Sequence, residues 1–208
     1  MSFLASQLLR RIRGKFPTYN HSSCISYSQN GEDLIIDRLF TGKSVGFYVD
    51  VGAHHPFRFS NTYRFYRQGW HGLNFDPLPG FKSLFSRHRP RDISVQIGVA
   101  PYEGSMTYYE FDEPALNTFC SHEAQLKNKP PYKLVCTHEV EVKPLAHLLD
   151  QYLPNEQHID FLSIDVEGLD LQVLRSNNWS KYRPTLLVVE SLRKLSLIHI
   201  SEPTRRYA

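Results

Sequence analysis

The chain has 208 residues, 41% of them hydrophobic and 22% charged, with a formal net charge of +3. That composition supports one globular domain with its own core and leaves little room for a second. The small charge, much of it in one N-terminal cluster, argues against a nucleic-acid partner, and no apolar run reaches the ~18 residues of a membrane span.

The N-terminal stretch SFLASQLLRRIRGKF sets Phe3, Leu4, Leu8, Ile12 and Phe16 loosely at helical spacing, and Arg10, Arg11, Arg13 and Lys15 crowd its second half. Residues 1–25 read as a basic leader helix and linker, its helix ended by Gly14 and Pro17. The alternative is an interfacial helix making weak peripheral contact with anionic lipid. It lacks the apolar core and cleavage site of a secretory signal. The cysteines, Cys24, Cys120 and Cys136, form no C-x-x-C pair. They read as reduced thiols in a cytoplasmic compartment.

SYSQNGEDLIIDRLF (26–40) predicts a helix with Leu34, Ile35, Leu39 and Phe40 on one face. GFYVDV (46–51) is a strand, and SNTYRFYRQ (60–68) a helix capped by Ser60 and ended by Gly69. GLNFD (72–76) is a second strand, FKSLFSRH a helix, and DISVQIGVA (92–100) a third strand. SMTYYEF (105–111) and KLVCTHEVEV (133–142) are β-rich excursions around a polar, Pro-containing middle. Then come a helix in PLAHLLDQY, a buried strand in IDFLSIDV (159–166), a helix in GLDLQVLRSN and a strand in PTLLVVE (184–190). This alternation predicts an α/β domain with a parallel, doubly wound sheet. LSLIHISEPTR (195–205) shares neither pattern and resembles the in-frame translation of a transposon-based sequencing adapter. Residues 195–208 are therefore expected to be an artefactual tail on a truncated domain spanning 26–194.

In such a sheet, ligands sit beyond the carboxyl ends of the strands at the point where the winding reverses. Asp50, Gly52 and His54 lie at one such end, Asp76 closes the next strand, and Asp165 and Glu167 close a later one. A dinucleotide fingerprint read from Gly52 gives Gly52-Ala53-His54-His55-Pro56-Phe57, whose bulk blocks close approach of a pyrophosphate. No G-K-[ST] follows, so a P-loop fails too. Adjacent His54 and His55 point apart on an extended chain, and protein-ligated zinc is not expected. A nucleoside ligand without phosphate remains. Asp76 suits a ribose diol, Asp50 suits the turn and an amino-acid end, and S-adenosylmethionine has those features.

Four stretches carry a family resemblance: SQNGEDLII (28–36), FYVDVGAHHPFRFSNTYRFYRQGWHGLNFDP (47–77), IDFLSIDVEGLDLQVLR (159–175) and RPTLLVVE (183–190). Together they resemble the FkbM family of S-adenosylmethionine-dependent methyltransferases. The resemblance implies a class I, Rossmann-like methyltransferase fold whose sheet has seven strands, the last antiparallel. It also implies O-methylation of a hydroxyl on a small-molecule, sugar or glycan acceptor. By that resemblance Asp50, Gly52 and Ala53 meet the methionine end of the cofactor, Asp76 and Pro77 its ribose, and Gln96 and Gly98 flank its adenine. Two features depart from the pattern: Ser163 stands where the family often has Lys, and the strands stop at Glu190.

A hydroxyl acceptor benefits from a base, for which Asp165, Glu167 and His54 are the candidates. Asp165 also serves as a cofactor hydrogen-bonding group, and Glu167 alternatively as a helix cap. Glu32 and Asp33 either close the pocket or occupy a solvated first helical turn. Asn61 and Thr62 read as helix-start residues, Asn117 and Thr118 as turn residues, and Tyr63, Phe65, Tyr66 and Trp70 as core. The alternative function is a catalytically inactive cofactor-binding or interaction module that keeps the fold.

Overall fold

A computed structural model describes residues 24–190. The basic leader through residue 23 and the adapter-like tail lie outside the described residues. In chain order the elements are α1 (Glu32–Leu39), β1 (Phe47–Val51), α2 (Tyr63–Arg67), β2 (His71–Asp76), α3 (Phe81–His88), β3 (Ile93–Gln96) and β4 (Gly98–Val99). Then follow β5 (Gly104–Phe111), a 3-10 turn at Pro114–Leu116, α4 (Ser121–Lys127), β6 (Leu134–Lys143), α5 (Leu145–Tyr152), β7 (Phe161–Ile164), α6 (Asp170–Arg175) and β8 (Leu186–Val189).

Five strands form a parallel sheet in the order β3-β2-β1-β7-β8. From β1 the chain winds outward through β2 and β3, then returns to pair β7 on the other side of β1, so the reversal falls between β1 and β7. Both strands are buried along their whole length because helices cover both faces. Alternation divides β1 between two cores. Phe47, Val49 and Val51 pack with Leu73, Phe75, Leu148 and Leu162, whereas Tyr48 packs with Phe65, Trp70 and Phe161. The expected core aromatics Phe65, Tyr66 and Trp70 are buried accordingly.

Three sequence expectations change. The stretch 92–100 is not one strand: β3 ends at Gln96, and β4 leaves the sheet to pair with β6. Gly98 allows the departure, since a Cβ there would lie 2.6 Å from the Phe119 ring and 2.7 Å from Val142. Helix α1 buries Asp33 and Ile36 and leaves Ile35 and Leu39 exposed, so its inward face is rotated from the predicted one. The polar middle of 101–143 holds α4 and a 3-10 turn that periodicity did not suggest. The two flanking strands pair as an antiparallel ribbon, β5 with β6, as their composition implied.

Candidate functional site

A cleft with a cavity volume of about 70 Å³ opens where β1 and β7 end. Its walls are Gly52, His54 and Phe59 after β1, Asp76, Pro77 and Leu78 at the end of β2, and Asp165, Val166 and Glu167 after β7. Tyr108 of the ribbon, the Pro114–Phe119 loop and Gln29 complete it. Arg58 and Glu113 form a two-pronged ion pair (2.9 and 2.8 Å) that joins the β1 loop to the ribbon loop at the lip.

Local backbone explains why these residues converge. Gly52 has φ +82°, and a Cβ there would lie 1.7 Å from the Asp165 carbonyl oxygen. The glycine thus lets the β1 turn press against the β7 turn. His54, Phe59 and Glu167 all hold positive φ values of 50–53°, a conformation costing roughly 1–2 kcal/mol for a residue with a side chain. Three such residues on one cleft mark backbone held in place for a purpose other than folding.

Asp76 is 5% exposed, and its carboxylate ties two turns together. Oδ2 accepts from His54 N at 2.8 Å and Oδ1 from Leu78 N at 2.8 Å. Burial lifts its pKa to about 6 against those bonds. His54 goes the other way: burial, then the neighbouring His55 and Arg58, lower it to about 4, so the ring is neutral at pH 7. Its Nε2 is buried without a partner, as is Asn117 Nδ2. Two orphaned nitrogens in the wall of one cleft are groups waiting for a ligand.

At the β7 end, Asp165, Glu167 and Glu190 bring carboxylate oxygens within 4.8 Å of one another. Burial, then the charges of Glu190 and Glu167, push Asp165 well above the usual carboxylate range. Glu190 is raised as well, chiefly by burial. Glu167 is also raised by burial, offset by Lys127, whose Nζ lies 2.5 Å from Glu167 Oε2. The N-cap of α6 is Leu169, so Glu167 does not cap the helix, and Asp170 in its first turn accepts from Val166 N and Gly168 N.

Of the predicted residues, Gly52, His54, Asp76, Pro77, Asp165 and Glu167 line this cleft. The others sit elsewhere. Asp50 is turned inward, accepts from Thr62 Oγ1 at 2.8 Å and has a pKa raised by burial to about 6. Ala53 packs on Phe81 and Phe85, Gln96 Oε1 accepts from Gly80 N, and Gly98 is buried against Phe119 and Val142. Glu32 borders an apolar groove between α1 and β8. Asp33 is no lid either: buried, it accepts from Ser26 Oγ, Tyr27 N and Ser28 Oγ. Asn117 and Thr118, expected as turn residues, do line the cleft.

The balance of charge limits what fits. Carboxylates outnumber cations here, and Lys127, the cation beside them, is already paired with Glu167. A ligand with hydroxyls and a positive centre suits these walls, and a pyrophosphate does not. The family model described as Methyltransferase FkbM domain matches residues 50–196. No curated protein matches, and no solved structure matches.

Proposed function

The chain belongs to the FkbM methyltransferase family, and from that premise we propose that it transfers a methyl group from S-adenosylmethionine to a hydroxyl of a sugar, glycan or other natural-product acceptor. The observation that carries this reading is the acid-walled cleft at the β1–β7 reversal, with Asp76 at its rim and two unpartnered nitrogens in its wall. Bound there, S-adenosylmethionine would supply an electrophilic sulfonium methyl group.

The chain's own residues supply the rest. Asp76, ionised above about pH 6, accepts hydrogen bonds from a ribose diol. Asn117 Nδ2 donates into the cleft, and neutral His54 offers Nε2 in whichever tautomer the ligand requires. The apolar walls of Phe59, Leu78 and Phe119 exclude water from the reacting oxygen. A positive charge brought into the cleft lowers the carboxyl pKa values and so favours the ionised form of Asp165. Asp165 then stands as acceptor for the hydroxyl proton. His54, with a pKa near 4, is the weaker base, and Glu167 is committed to Lys127.

The test is methyl transfer from S-adenosylmethionine to a panel of hydroxylated acceptors, read as S-adenosylhomocysteine formed. Asp165→Asn should lower kcat about 10²–10⁴-fold with S-adenosylhomocysteine affinity changed only a few-fold, and His54→Gln should cost less. Binding without turnover on any acceptor would indicate an inactive cofactor-binding module. A folded chain that binds no S-adenosylhomocysteine would contradict the reading.

A further inference from the structure

Away from the cleft lining, three side chains of different chemistry meet on the β5–β6 ribbon. Glu110 lies directly opposite Cys136 in the strand register, and His138 follows Cys136 by two residues. Alternation therefore places all three on one face of the ribbon. Cys136 Sγ lies 3.3 Å from His138 Nε2 and 3.6 Å from Glu110 Oε2, and Nε2 and Oε2 are 2.6 Å apart.

A thiol, an imidazole and a carboxylate could form a nucleophilic triad or a chelate, and the geometry separates the two. A triad uses opposite nitrogens of the imidazole, one toward the nucleophile and one toward the carboxylate. Here Nε2 alone faces both partners, so no proton can be relayed across the ring. The thiol pKa is also raised, by partial desolvation and then by Glu110, which is the reverse of an activated nucleophile. Three donor atoms converging on one point is the arrangement of a chelate.

We propose that Glu110, Cys136 and His138 form a binding site for a zinc-class divalent ion, with solvent completing the coordination. A tetrahedral ion with bonds of about 2.3 Å to sulfur and 2.0–2.2 Å to nitrogen and oxygen holds its donors about 3.4–3.6 Å apart. The two sulfur distances are already close to that. The nitrogen–oxygen pair must open by about 0.8 Å, exchanging its hydrogen bond for two metal bonds. Access is free: Cys136 is exposed, and the His138 and Glu110 side chains are 37% and 27% exposed. The mixed sulfur, nitrogen and oxygen set selects zinc-like ions over Mg²⁺ and Ca²⁺, which prefer oxygen alone. The thiol proton leaves to solvent as the sulfur–metal bond forms, so affinity rises with pH. The site also sits beside the cleft wall, because Tyr108, which lines the cleft, pairs with His138 in the same ribbon.

The experiment is titration of the reduced, metal-free chain with Co²⁺, followed by absorbance. The expected result is one equivalent bound with a thiolate-to-cobalt charge-transfer band, displaced by an equivalent of Zn²⁺ and untouched by excess Mg²⁺. Cys136→Ser should abolish the band, and His138→Gln should weaken binding at least tenfold, with far-ultraviolet circular dichroism unchanged in both. Absence of the band in the parent chain overturns the proposal. A band that survives Cys136→Ser overturns it too, since Cys24 or Cys120 would then be the ligand.

Discussion

Two buried polar regions lie on either side of β1, and they are finished to different degrees. Beneath the sheet, the Arg89 and Asp92 side chains are wholly buried as an ion pair of 2.7 Å. Around them the one side-chain atom left without a partner among the described residues is Asn74 Oδ1. Arg89 also donates to Tyr48 Oη, Thr62 Oγ1 and the Pro56 carbonyl, and Asp92 accepts from Tyr48 Oη, Gly72 N and Asn74 Nδ2. Thr62 passes the network on to Asp50. At the cleft the opposite holds: carboxylates crowd one another, His54 and Asn117 have unpartnered nitrogens, and three residues hold positive φ. The first region is satisfied by the fold at all but that one atom and serves the fold. The second is incomplete without something else, which is how a ligand site differs from a buried polar network.

The sharpest way to break this comparison is to remove one member of the satisfied network. Arg89→Met should cost about 3–5 kcal/mol in denaturant unfolding, because Asp92 is left buried and uncompensated. A loss under 1 kcal/mol would show that the network is not structural in this sense. At the cleft the cost should nearly vanish. Asp76→Asn relieves a buried charge, a gain bounded at about 3 kcal/mol by the shift from 3.8 to about 6. It also sets an amide NH2 against the His54 or Leu78 N–H, a cost of about 1–3 kcal/mol, so at pH 7 the ligand-free variant should match the parent in stability.

The pH dependence sharpens the point. A carboxyl whose folded pKa is raised binds its proton more tightly when folded, so its stability contribution falls as pH rises from its unfolded pKa through its folded one. The stability of Asp76→Asn minus that of the parent should therefore grow between about pH 4 and pH 6 and then level off. His54, lowered to about 4, slopes the other way in the same window, and Asp50 slopes as Asp76 does. In the difference curve, measured by thermal unfolding across pH, His54 cancels, and Asp50, whose charge acts on Asp76, cancels in part. A flat curve would mean that Asp76 is not strained. The smallest effect should come from Thr118→Val, which removes the bond from Oγ1 to the Glu167 carbonyl at 2.7 Å and the one Oγ1 accepts from Cys120 N. About 1–2 kcal/mol of stability should be lost.

Much of this was legible in the sequence because short apolar runs between helices and strand-end acids are local signals. FYVDV, FLSI and LLVV announced the parallel sheet, and Asp76, Asp165 and Glu167 fell where strands end. What stayed hidden depends on pairing between distant segments. Arg89 reads as a surface residue at a helix end, and only the fold brings Asp92, Tyr48 and Thr62 to it. Asn117 and Thr118 looked like turn residues because nothing nearby says that the ribbon folds their loop over β7. Cys136 and His138 form a visible C-x-H pair, but Glu110 arrives from the opposite strand. The displaced strand β4 was missed for a similar reason: Gly98 breaks the run only because Phe119 lies against it.

The central claim is that the cleft, not the network beneath it, is built for S-adenosylmethionine. Calorimetric titration of S-adenosylhomocysteine into the folded chain, beside Asp76→Asn and with circular dichroism as control, tests it most directly. The account predicts micromolar binding to the parent at pH 7.5, weakened at least tenfold in the variant while its stability holds. Equal binding by both, or none by a folded parent, would contradict it.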